Sequence, residues 1–69
     1  MTNTETFKSH PAFAALVRAE RARKGMIRRP GGRAALAANS QECMRLERVL
    51  MVETGATFAQ ISGAALAAA

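Results

Sequence analysis

Five glutamates, Glu5, Glu20, Glu42, Glu47 and Glu53, are the only carboxylates in this 69-residue chain. One histidine, His10, and one cysteine, Cys43, complete the groups suited to proton transfer, nucleophilic attack or metal ligation. General acid–base work needs a donor and an acceptor held together in a cleft. Metal sites need several ligands at short spacing. Neither pattern is present: Glu42 with Glu53, and Glu20 with Arg23, read as helix-surface charges, and His10 stands far from Cys43. Gly31-Gly32-Arg33 lacks the Lys-Ser/Thr that completes a phosphate loop. A chain of this size is also too short to enclose a ligand-sized cavity alone. The expectation is a protein that is not an enzyme, with no catalytic residue, no metal and no cofactor.

The concentrated chemistry is cationic. Arg18, Arg21, Arg23, Lys24, Arg28, Arg29 and Arg33 lie within sixteen residues that hold one acid, Glu20, a local balance of +6 in a chain of net charge +5. Such a block points to an acidic protein surface, nucleic acid or anionic lipid. Lipid fits poorly, because an interfacial helix needs a bulky apolar face opposite its charges, and none accompanies these residues. Sequence-specific DNA reading fits poorly too. Glu47–Leu66 has the outline of a helix-turn-helix, but beyond Phe58 only Gln60 and Ser62 are polar and nothing is basic, whereas a reading helix presents donors and acceptors to base edges. Non-specific phosphate contact through the basic block remains as the rival to protein binding.

The elements that must carry these residues are helical. Asn39 to Gly55 holds the densest run of large apolar side chains. At 100° per residue Cys43, Leu46 and Leu50 share a side, Val49 and Met51 flank them, and Met44 lies beyond. Glu47 is the one charge that interrupts this arc, and Gly55 suits a left-handed helix end. Asn39 with Glu42 can cap a helix start, while the alanines from Ala34 favour one continuous helix over 32–54. Upstream, a first helix runs from Pro11, capped by Ser9 or His10, to Lys24 and ends at Gly25, with Phe13, Leu16 and Val17 as its stripe. Pro30 and Gly31 place a turn. Thr57 opens a third helix with a capping box to Gln60, a staple between Ala56 and Ile61, and a stripe of Phe58, Ile61, Ala65 and Leu66.

The reading is thus all-α: two or three helices in a hairpin-like arrangement, a flexible tail over 1–8 and one helical domain over 9–69. The apolar arc is wider than one small partner helix covers, and a chain this short is marginal alone. The expectation is a two-fold homodimer whose dimer core uses Leu46, Val49, Leu50, Phe58 and Ile61, supported by Phe13, Leu16 and Val17. The basic residues, with Met44 and Met51 at the edge of the arc, are the candidate partner contacts, since methionine adapts to irregular surfaces and arginine is enriched at interface hot spots. A lone cysteine on the apolar face suits a core thiol in a reducing compartment. No signal peptide or membrane span is expected.

Two segments carry a family resemblance: Ser-His-Pro-Ala-Phe-Ala-Ala-Leu-Val-Arg-Ala-Glu-Arg-Ala-Arg-Lys-Gly at 9–25 and Gln-Glu-Cys-Met-Arg-Leu-Glu-Arg-Val-Leu at 41–50. Together with the length, they resemble small early proteins of transposable bacteriophages, of the quorum-sensing anti-activator type. The resemblance implies a helical homodimer in the host bacterial cytoplasm that binds a LuxR-type transcription activator and keeps it off DNA. It also implies a second target, the ATPase that assembles type IV pili. It assigns no contact residue position by position.

Overall fold

A computed structural model describes residues 6–28 and 32–69. Among these the chain is all-α, with three helices and no strand: α1 (Pro11–Ile27), α2 (Arg33–Thr54) and α3 (Phe58–Ala68), preceded by a 3-10 turn over Thr6–Ser9.

The start of α1 falls where Pro11 can occupy the first turn. His10 is the cap: its Nδ1 accepts the Ala12 N–H at 3.0 Å, and its Nε2 meets Glu53 Oε1 at 2.7 Å. The helix does not stop at Gly25 but continues to Ile27. A glycine inside a helix costs only about 1 kcal/mol relative to alanine, which is no terminator among good helix formers. Helix α2 is continuous through Asn39. That side chain does not cap a helix; its Nδ2 donates to the Ala19 carbonyl of α1 at 3.0 Å. The His10–Glu53 and Asn39–Ala19 bonds run in opposite chain directions, so α1 and α2 form an antiparallel hairpin. Gly55, at φ 78°, ends α2 in the left-handed conformation, and its N–H bonds to the Met51 carbonyl at 3.0 Å. The capping box of α3 is complete, with Thr57 Oγ1 accepting from the Gln60 N–H and Gln60 Oε1 accepting from the Thr57 N–H. Arg21 Nη2 donates to the Ala68 carbonyl at 3.3 Å. The end of α3 therefore returns to the middle of α1, and α3 lies across the hairpin.

Leu16, Cys43, Leu46, Leu50, Ala56, Ile61 and Ala65 are buried together within one chain. Leu16, Leu46, Leu50 and Ile61, expected as dimer or core residues, are thus core residues enclosed within one copy, Leu46 and Leu50 of α2 clustering with Leu16 of α1 and Ile61 of α3. Phe13 and Val17 are half-buried against this cluster, and Val49 is half-buried on α2. Phe58 lies outside the core, 54% exposed. The reverse correction applies to Phe7. Read as a tail residue, it is 1% exposed and packs edge-on against Phe13 with ring centroids 5.5 Å apart. The 3-10 turn, tied down by the His10 N–H to the Phe7 carbonyl at 3.1 Å, carries that ring over α1. Residues 1–5 of the expected tail lie outside the described residues. No described helix is long and apolar enough to cross a membrane.

Phe7 contributes one of the largest buried side chains in a small core. Phe7→Ala should lower stability by about 3 kcal/mol, against about 1 kcal/mol for the exposed cap Thr57→Ala. Urea unfolding followed by circular dichroism checks both. Equal, small losses would mean that Phe7 is not packed in solution.

Candidate protein-binding surface

Closing the core uses only part of the α2 arc. Going round the helix from Leu50, the next positions are Glu47, Met51, Met44, Arg48 and Val52. Here the cover of α3 gives out, so large apolar groups stay open to water: Met44 at 65%, Met51 at 40% and Val52 at 78% exposure, joined from α3 by Phe58 and by Leu66 at 50%. Met44, Glu47, Arg48, Met51, Val52 and Phe58 line a groove of about 290 Å³ between α2 and the start of α3. At its edge Arg48 makes no hydrogen bond or ion pair among the described residues. Arg45, one step further round, is held by Glu42, with Nε 3.0 Å from Oε2 and Nη2 on the other oxygen. That pair holds the exposed Glu42 carboxyl below its usual range through the Arg45 hydrogen bond.

Where the groove meets the three-helix junction it adjoins a second pocket of about 390 Å³. Glu20 and Glu47 enter it from α1 and α2, each only 7% exposed. Glu20 is therefore not the surface charge expected from its spacing to Arg23. Burial pushes the Glu47 carboxyl up from its ordinary range, Glu20 adds to the rise, and Arg23 opposes it. The Cys43 thiol beside them is pushed up to about 11, first by burial and then by Glu20. A thiol so rarely ionised is a core group and not a nucleophile. Among the described residues no cluster of three His, Cys, Asp or Glu side chains suits a metal ion.

The basic block divides. Arg18, Arg21 and Lys24 are exposed and recur on one side of α1, and the exposed Arg28 follows at its C-cap. Arg23 turns the other way and is half-buried near Glu20 and Glu47. Arg33 is exposed at the start of α2, and Arg29 lies outside the described residues. The structure therefore brings Met44 and Met51 together with Arg48, Val52 and Phe58, and apart from most of the arginines proposed to act beside them. Val52 was not singled out by the sequence, and Phe58 was expected among the dimer or core residues, because helix periodicity marks a side chain as apolar without saying where its cover ends. The buried acid pair did leave one signal, the single charge interrupting an apolar arc at Glu47.

No family model, curated protein or solved structure matches this chain.

Because its carboxyl is harder to ionise in the fold, Glu47 favours folding below the ordinary carboxylate range. That contribution is lost as the pH rises through the raised value. Glu47→Gln should thus raise the urea midpoint at neutral pH and leave it unchanged below about pH 4. A midpoint lowered at neutral pH would show an ionised Glu47 stabilised by its surroundings.

Proposed function

We propose that this chain is a non-enzymatic protein-binding module that acts by occupying a partner's surface, with the α2–α3 groove as its docking face. The observation that carries this reading is the contrast between a closed core and five large apolar side chains left open on one side. Soluble monomers expose apolar groups singly, and contiguous patches mark interaction sites. Two flexible methionines and an aromatic ring are side chains that adapt to a partner, and Arg48 at the edge supplies a charge that can pair across an interface.

The resemblance noted above directs the choice of partner. The regulator reading is an anti-activator that binds a LuxR-type quorum-sensing transcription activator and blocks its DNA binding, with a type IV pilus assembly ATPase as the second candidate. A homodimer belongs to the same proposal. With the leucines already enclosed, a second copy would have to use this groove too. The rival reading rests on a different observation, the exposed stripe of Arg18, Arg21 and Lys24 along α1 with Arg28 at its C-cap, which suits phosphate contact.

Titration of the purified activator with wild-type and Met51→Asp protein tests the proposal. Saturable binding, weakened about tenfold or more by the substitution and unchanged by Arg18→Ala, is the expected result. Titration of random duplex DNA at about 50 and 200 mM salt tests the rival. Micromolar binding that collapses with salt, survives Met51→Asp and falls with Arg18→Ala would replace the protein-binding reading.

A further inference from the structure

The pocket at the three-helix junction holds more negative charge than its surroundings neutralise. Glu47 is more than nine-tenths buried. Even so, it has no hydrogen bond and no ion pair within 4 Å among the described residues. No described side-chain oxygen or nitrogen is sealed from solvent without a partner, so the Glu47 carboxylate opens into the pocket and not into the core. Glu20 enters the same space against the Cys43 thiol. Among the described residues Arg23 is the one cation facing the pair, and counting it leaves the site at a charge of −1 when both acids are ionised. A carboxylate kept this far from water without a partner is costly. Its oxygens are open to a donor that comes from outside.

We propose that this pocket receives the guanidinium group of an arginine side chain from a protein partner, while the adjoining groove along Met51 and Val52 takes an apolar side chain of the same segment. The inference rests on the protein-binding reading and specifies the partner's chemistry. A guanidinium offers five N–H donors in a planar fork. Two carboxylates and the hydroxyls of Ser40 and Ser62 line the pocket as acceptors for it. Met44 and Leu66 form apolar walls for the aliphatic stem, and the half-open Phe58 ring offers a face for a cation. An arginine is also more weakly hydrated than a lysine, so entering a half-closed site costs it less. Pocket and groove adjoin, sharing Met44, Glu47 and Phe58 as walls. A free guanidino compound would fill one end only, whereas a chain segment fills both. The titratable or charged groups facing the site are Glu20 and Arg23 from α1 and Cys43 and Glu47 from α2, with none from α3. Protonating Glu47 removes an acceptor, so capture weakens as the pH falls.

The test uses the full chain and two capped helical peptides. One carries an arginine with a leucine one turn away; the other has norleucine in place of the arginine. Ethylguanidinium probes the pocket alone, against tetraethylammonium at equal ionic strength. Side-chain carboxyl shifts of Glu20 and Glu47 by NMR give the readout. The arginine peptide should bind saturably and move both carboxyls. The norleucine peptide should bind about tenfold more weakly or worse, and Glu47→Gln and Glu20→Gln should each lose a similar factor. Met51→Asp should weaken the peptide while leaving the ethylguanidinium response in place. That response separates the two proposals: it survives if the activator proves not to be the partner. Equal binding of the two peptides, a Glu47→Gln protein that binds the arginine peptide as well as wild type, or carboxyls that stay still would overturn the inference. Carboxyls that respond to ethylguanidinium and not to the arginine peptide would overturn the protein source. The peptide comparison is made on the wild-type chain, so it decides the matter even if a variant fails to fold.

Discussion

The width of the apolar arc on α2 is the constraint from which the rest of the molecule follows. A helix that is apolar over more than half its circumference needs more than one neighbour. This chain supplies three: α1 through Leu16, α3 through Ile61 and Ala65, and the 3-10 turn through Phe7. Together they seal the side bearing Cys43, Leu46 and Leu50. Helix α3 is only 11 residues long and sits on one flank, so the arc runs on past it. Met44, Met51 and Val52 are what remains uncovered. The core and the candidate docking face are neighbouring sectors of one helix, divided by the reach of α3.

Glu47 marks that division. It occupies the position between the sealed and the open sector, where an apolar residue would have been the simplest filling. A carboxylate there is desolvated and lies beside Glu20, and burial with like charge raises its pKa. Groups that cost stability in this way cluster where proteins bind or react. The same geometry pushes the Cys43 thiol up, through burial first and then through Glu20 and Glu47 against the opposing Arg23. Four of the chain's ten cationic side chains, Arg18, Arg21, Lys24 and Arg28, lie elsewhere, on the outward side of α1 and at its end, so a basic protein carries an acidic pocket.

Much of this fold was legible in local chemistry. Thr57 with Gln60, Gly55 and Pro11 mark helix ends through hydrogen bonds made within a few residues, and those ends stand where the residues put them. What could not be read were the long-range partners. Asn39 has the chemistry of a cap, yet it spends its amide on the Ala19 carbonyl twenty residues away. Phe7 precedes any periodic pattern, so nothing local ties it to Phe13. Gly25 resembles a stop, but its cost is smaller than the tendency of its neighbours to continue the helix. For the site the limit was similar. Periodicity identified the apolar arc and the interruption at Glu47. It could not say that α3 would close over Leu46, Leu50 and Ile61 while leaving Phe58 outside, or that Glu20 would come across from α1.

One copy of this chain encloses its own leucines and leaves the methionine groove open. Solvent paramagnetic relaxation of side-chain methyl groups, measured on the dilute free protein, tests it directly. Leu16, Leu46, Leu50 and Ile61 should be shielded from a soluble paramagnetic probe while Met44, Met51 and Val52 are relaxed by it. Leucine methyls that are relaxed in the dilute chain, and become shielded only as its concentration rises, would contradict this by showing that the core forms between copies.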